Sequence, residues 1–262
     1  MRFDLPNVGK QLRFRRLVDQ ESGAIIAVPM DHGFTLGPIK GVDRIAATAE
    51  KVYQGGASAV IVHKGNVTQL ANVPNLRGLM IHISASVSLS PHSAQKVLTA
   101  SVDEVARLGA DGVSVHVNIG ATGDKEMISD LGMVADDANA LGLPLLAMMY
   151  ARDDNGTDDT SAETLAHIAR IAQEAGADIV KINATADGKR FDEVTQGIDI
   201  PIVIAGGAKA DDFQGFLNTV EQCILQGASG ISIGRNIFQA DDPATATAKV
   251  VEVVRKAMKE RT

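Results

Sequence analysis

The chain has 262 residues, of which 45% are hydrophobic, with a formal net charge of −7, one cysteine, no tryptophan and two tyrosines. That length and apolar content suit a single α/β core, and no Pro/Gly/Ser-rich or charged tract divides the chain. The acidic balance and scarcity of aromatic rings argue against nucleic-acid binding, the lone cysteine rules out an intrachain disulfide, and no apolar run approaches the roughly 20 residues of a membrane helix.

The N-terminal residues lack the apolar core of a signal peptide, which predicts a cytoplasmic protein. Residues 1–23 are read as an extension closing the bottom of a barrel formed by the rest of a single 1–262 domain. Apolar, β-branched runs then recur at 24–29, 59–63, 79–84, 112–118, 144–150, 178–183, 201–205 and 230–234. Between them, amphipathic stretches at 42–54, 102–108, 129–141, 162–175, 211–225 and 243–259 are long enough for helices. The gap at 66–77 is short and polar for one. Cys223 falls inside the 211–225 stretch and is read as a buried thiol.

A weak repeat joins a helix end, a small turn and a strand start. It reads Gly-Gly-Ala-Ser-Ala-Val-Ile-Val (55–62), Leu-Gly-Ala-Asp-Gly-Val-Ser-Val (108–115), Ala-Gly-Ala-Asp-Ile-Val-Lys-Ile (175–182) and Gln-Gly-Ala-Ser-Gly-Ile-Ser-Ile (226–233). Eight strands alternating with helices, apolar enough to be covered on both faces, predict an α/β fold of the closed (β/α)8 TIM-barrel type. An open doubly wound sheet is the alternative.

Active sites of such barrels lie at the C-terminal strand ends, and the sequence is polar there. Lys181 interrupts the apolar run Ala-Asp-Ile-Val-Lys-Ile-Asn (177–183). A lysine in an apolar site loses ammonium hydration, so its neutral amine becomes available to attack a ketone or aldehyde as in Schiff-base enzymes. The plainer reading is a lysine whose stem lies in the core and whose head reaches solvent. Gly206-Gly207 after strand 7 and Gly234-Arg235 after strand 8 suit a phosphate, because glycine lets backbone N–H groups approach closely and arginine adds paired donors. Tight strand-to-helix turns would explain the glycines equally.

A ketone phosphate held there would present its carbonyl to Lys181. Tyr150, from the neighbouring strand, is placed for proton transfer, and Asp31 for orienting the lysine or acting as a base. Both have structural alternatives, a rim tyrosine and a turn residue. His32, Lys64, His116 and Arg152 are possible substrate contacts, and Lys64 is a second imine candidate just beyond its strand. His63, His82 and His116 raise a rival metal-assisted reading. They lack short ligand spacing, and neither a metal nor another cofactor is expected.

The motifs Val28-Pro-Met-Asp-His-Gly33, His63-Lys-Gly65, Ser114-Val-His-Val-Asn118, Asp130-Leu-Gly-Met133, Asp178-Ile-Val-Lys181 and Gly234-Arg-Asn-Ile-Phe-Gln239 resemble one family along nearly the whole chain. It is the class I aldolase group of archaeal-type fructose-bisphosphate aldolase and 2-amino-3,7-dideoxy-D-threo-hept-6-ulosonate synthase. Gly37-Pro-Ile-Lys-Gly41 and Met148-Met-Tyr150 look closer to the latter. The resemblance implies an imine on Lys181, proton donation by Tyr150, an acid/base or positioning role for Asp31, and phosphate at Gly206, Gly207, Gly234 and Arg235. It also implies phosphorylated ketose and aldehyde substrates, aspartate semialdehyde as acceptor, and a homo-oligomer of pentameric rings, as a pentamer or decamer. Two stretches depart from the family pattern, Tyr150-Ala-Arg-Asp153 with its acidic, flexible-looking continuation, and Ala184-Thr-Ala-Asp187. Cleavage of fructose 1,6-bisphosphate, joining of dihydroxyacetone phosphate to aspartate semialdehyde toward an aminohydroxybenzoate, an imine-independent sugar-phosphate isomerase, a binding barrel and a thiolase remain as alternatives.

Overall fold

The structure, a computed structural model, describes residues 7–186 and 188–261. Asp187 and residues 1–6 of the N-terminal segment, both named above, lie outside them. Eight parallel strands, β1 (Ile25–Pro29), β2 (Ala59–His63), β3 (Gly78–His82), β4 (Gly112–Ile119), β5 (Leu145–Ala151), β6 (Ile179–Ile182), β7 (Ile202–Ala205) and β8 (Gly230–Ser232), close into a barrel in sequence order. Helices cover the outside, the longest being Asp124–Leu141 and Pro243–Arg261.

The strands are apolar on both faces because each is enclosed on both. Residues facing the helices, such as Val28, Val60, Ile81, Val113, Val180 and Ile204, join one large core. Alternate residues point inward, where Ile25, Ala27, Ile61, Met80, Leu146, Met148, Ile179 and Val203 fill the barrel with Phe14 and Leu17 of the N-terminal helix Val8–Leu17. Strand alternation carried upward from this packed layer brings His63, His82, His116, Tyr150 and Lys181 to the interior at the C-terminal end.

The repeat has a structural reason. At its fourth position Ser58 Oγ accepts from the Ile26 amide at 2.9 Å, Asp111 Oδ2 from the Leu79 amide at 3.1 Å, and Asp178 Oδ2 from the Leu145 amide at 2.8 Å. Each side chain therefore satisfies the first residues of the strand before its own. The N-terminal helix docks on the same three positions: Ser58 Oγ donates to the Leu17 carbonyl at 2.7 Å, Arg16 Nε pairs with Asp111 at 2.5 Å, and Lys10 Nζ with Asp178 at 2.8 Å.

Two elements differ from the sequence expectation. The barrel part of β3 ends at His82, and Ser84–Ala85 instead turns out to pair antiparallel with Val97–Leu98 in a small hairpin above the mouth. The 66–77 gap supplies only a single helical turn, Val67–Leu70. Cys223 is buried, and burial pushes its thiol up to about 12. Among the described residues no helix is long and apolar enough to cross a membrane.

Candidate active site

The mouth of the barrel holds a cavity of about 340 Å³. Asp31, His32, His116, Tyr150, Arg152, Lys181, Gly206, Gly207, Gly234 and Arg235 all line it. Lys64 does not: it lies outside the lining, with Nζ 2.9 Å from Glu104 Oε2. Its position just past β2 turns it outward, toward the helix Val102–Arg107 that carries Glu104.

Lys181 is fixed from below by strand register. It pairs with Met148 on β5 and Val203 on β7, is 6% exposed, and has the Met148 sulfur at 3.9 Å as its hydrogen-bond partner. No carboxylate lies within ion-pair distance of it among the described residues. Tyr150 stands two residues beyond Met148, so both project to the interior, and its ring stacks on His116 with centroids 4.8 Å apart. The Arg152 guanidinium lies 4.8 Å from the centre of the same ring.

Asp31 follows β1 and faces two imidazoles, with His32 Nδ1 at 3.3 Å and His82 Nε2 at 3.7 Å. Burial opposes its ionisation, but the hydrogen bond to the adjacent His32, with the charge of Lys181, prevails and holds the carboxyl well below the usual range. Burial favours the neutral form of three imidazoles. It lowers His63, takes His82 down to about 3 although Asp31 opposes it, and carries His116 well below its usual value. His82 Nδ1 bonds to Ser114 Oγ at 2.8 Å, the rings of His63 and His82 lie 5.3 Å apart, and His116 bonds Asn118 Oδ1 at 2.8 Å. Among the described residues no group of three or more His, Cys, Asp or Glu side chains is arranged to hold a metal ion.

Across the mouth, the loops after β7 and β8 are tied together by Asn236, buried beside Arg235. Its Nδ2 donates to the Gly206 and Ala208 carbonyls at 2.8 and 3.1 Å, and its Oδ1 accepts from the Ala210 amide at 2.7 Å. Gly207 has φ +63°, and a side chain on Gly234 would meet the Pro29 carbonyl oxygen at 2.7 Å. Two buried polar atoms at this cavity, Ser232 Oγ and Arg235 Nε, have no protein hydrogen-bond partner among the described residues. Buried donors are rarely left so, and a polyoxyanion is the ligand chemistry they suit.

Sequence reasoning missed several lining residues: Lys96, Asp158, Asn183, Ser84, Ser86 and Ser232. Strand alternation could have found Asn183 and Ser232, since each sits two residues beyond an inward position. The acidic loop after β5, expected to be flexible, is instead tied down. Arg152 grips Asp158 through two bonds of 2.5 and 2.8 Å, Asp154 accepts from the Thr122 amide and hydroxyl at 2.7 Å each, and Asp153 Oδ1 accepts from the Thr157 amide at 2.8 Å.

A buried lysine beside a phenol and a carboxylate, under a mouth with unsatisfied anion donors, is the arrangement of a Schiff-base barrel enzyme, and comparison with known proteins makes this chain a class I aldolase. The model of the DeoC/LacD family aldolases matches residues 25–240, and the chain belongs to that family. It is 42% identical over 237 residues to 2-amino-3,7-dideoxy-D-threo-hept-6-ulosonate synthase 1 of Archaeoglobus fulgidus, covering 90% of this chain and 87% of the relative. It is 32% identical to 2-amino-4,5-dihydroxy-6-oxo-7-(phosphonooxy)heptanoate synthase of Streptomyces griseus, covering 95% of this chain and 91% of the relative. Among solved structures, a Schiff-base-forming fructose-1,6-bisphosphate aldolase superposes with a TM-score of 0.84 at 27% identity, covering 94% of this chain and 99% of that one.

Proposed function

We propose that the enzyme makes or breaks a C–C bond of a phosphorylated ketose through an imine on Lys181, in the manner of the heptulosonate synthase it resembles, with aspartate semialdehyde as acceptor. The observation that carries this reading is the position of Lys181: buried in the cavity lining with Tyr150, and with no carboxylate within ion-pair distance among the described residues. The amine adds to the ketone and water leaves, giving an iminium that withdraws electrons from the adjacent carbon. The bond from that carbon to the next, hydroxyl-bearing carbon breaks as the hydroxyl loses its proton, so the far fragment leaves as an aldehyde and the near one stays as an enamine, which then attacks the aldehyde carbon of the acceptor before water hydrolyses the new iminium and releases the product. Tyr150 exchanges the proton at the reacting oxygen, and the ionised Asp31 takes and returns the proton during carbinolamine dehydration. Gly206, Gly207, Gly234 and Arg235 bind the phosphate, with His32 and His116 as further substrate contacts.

The same reading places the enzyme in aromatic biosynthesis, in the cytoplasm, as a homo-oligomer built from pentameric rings, with residues 1–23 closing the barrel bottom. A second reading, direct aldol chemistry on fructose 1,6-bisphosphate, is supported by the TM-score of 0.84 to an aldolase of that name. Intact mass after borohydride reduction with dihydroxyacetone phosphate and, separately, fructose 1,6-bisphosphate tests the mechanism. The wild type is expected to gain a covalent adduct that Lys181→Met lacks. An adduct persisting in Lys181→Met would move the imine to another lysine, and no adduct with either ketone would count against both donors.

A further inference from the structure

Besides Lys181, Arg152 and Arg235, the cavity has a further cation that the mechanism leaves without a role. Lys96 lines it from the hairpin above β3, on the side of the barrel opposite β7 and β8. Its Nζ donates to Ser86 Oγ at 2.6 Å and to the Ser93 carbonyl at 3.3 Å. The loop is anchored to β4, because Asn118 Nδ2 donates to the Ala94 carbonyl at 2.6 Å. Among the described residues no carboxylate lies within ion-pair distance of Lys96. Burial, together with the positive charge of Arg152, brings its ammonium down to about 8, with Asp31 opposing. A cation braced by neutral groups in a partly buried cavity is poorly compensated, and an incoming anion would supply what the protein does not.

The surroundings select the kind of anion. Arg152 is already engaged by both oxygens of Asp158, at 2.5 and 2.8 Å, so its fork does not add to the pole. At Lys96 itself the donors are its ammonium and the Ser86 hydroxyl, whose oxygen accepts from the lysine and leaves its proton to be donated. Two donors and a single positive charge match the two oxygens of a carboxylate. A phosphate dianion would bring a surplus charge into a cavity that the ionised Asp31 also lines.

We propose that Lys96, with Ser86, binds the carboxylate of the acceptor aldehyde and makes the enzyme selective for a short aldehyde acid over uncharged or phosphorylated aldehydes. This rests on the Schiff-base reading of the cavity. The donor ketone then lies with its phosphate at β7 and β8 and its carbonyl at Lys181, while the acceptor enters from the β3–β4 side.

The test uses dihydroxyacetone phosphate as donor with succinate semialdehyde, butanal or glyceraldehyde 3-phosphate as acceptor, in the wild type, Lys96→Met and Lys96→Arg, alongside borohydride trapping of the donor alone. Lys96→Met should trap the donor as the wild type does and raise the KM for succinate semialdehyde about 10- to 100-fold, while butanal turnover stays within about twofold. Lys96→Arg should recover part of the loss. An adduct in both proteins with equal losses for succinate semialdehyde and butanal, or with no loss for either, overturns the role of Lys96. A wild-type preference for glyceraldehyde 3-phosphate that vanishes in Lys96→Met overturns the carboxylate selectivity. Absence of an adduct in the wild type with dihydroxyacetone phosphate and with fructose 1,6-bisphosphate alike would overturn both donors and the Schiff-base reading built on them, and this role with it.

Discussion

His82 and Asp31 show how the cavity distributes charge among single residues. Burial holds the His82 imidazole at about 3, against an ordinary 6.5, so between those values the unfolded chain binds a proton that the folded protein refuses. Stability is therefore complete at neutral pH and falls as pH drops from 6.5 toward 3. Asp31 adds to the fall, because its lowered pKa contributes stability above 3.8 that is lost at more acid pH. Urea denaturation at pH 4.5 should give a stability below that at pH 7.5, with up to about 3 kcal/mol of the difference due to His82. His82→Gln should remove that share, and an unchanged pH slope in the variant would show that the imidazole is not its source. At this scale the sequence was most legible where a polar residue broke an apolar run, as at Lys181. Lys96 gave no such signal, because it lies in a polar loop whose path over the mouth depends on the hairpin.

The repeat and the N-terminal helix are the informative elements. Ser58, Asp111 and Asp178 recur in sequence because alternate strands need the same acceptor at their feet, and the helix is held by those same residues. Lys10 and Asp178 are 3% and 8% exposed, so removing one partner leaves a buried charge without compensation. Asp178→Ala should lower the unfolding free energy by roughly 3–5 kcal/mol, and Lys10→Met combined with Asp178→Ala by less, because no buried charge is then orphaned. Chemical denaturation of Asp178→Ala, Lys10→Met and the double variant measures this, and additive losses would mean that the two side chains are not coupled. The repeat was visible in the sequence, but its purpose was not, since the hydrogen bonds run to the preceding strand, more than 30 residues away.

For the whole molecule, closure of the barrel matters most. It sets Arg235 and the β7–β8 glycines on one side of the mouth and Lys96 on the other, with Lys181 and Tyr150 between them. Inorganic phosphate should occupy the first pole. At about 100 times its Kd it adds about 2.7 kcal/mol of stability and should raise Tm by roughly 5–10 °C. Thermal unfolding should show that rise in the wild type and in Lys96→Met, and much less of it in Arg235→Met. An equal rise in all three would place the phosphate elsewhere.

The sequence by itself determined the eight strands, their order and their polar C-terminal ends, because apolar periodicity and glycine punctuation are local properties of the chain. It also exposed Lys181, Tyr150, Asp31 and the β7–β8 glycines, which stand at positions where a strand-end pattern changes. Only the tertiary structure decided what those residues meet. It turned Lys64 away to Glu104, engaged Arg152 with Asp158, tied the acidic loop down through Asp154, and brought Lys96 into the cavity. Each outcome depends on a partner distant along the chain or on the path of a loop, and local sequence patterns specify neither.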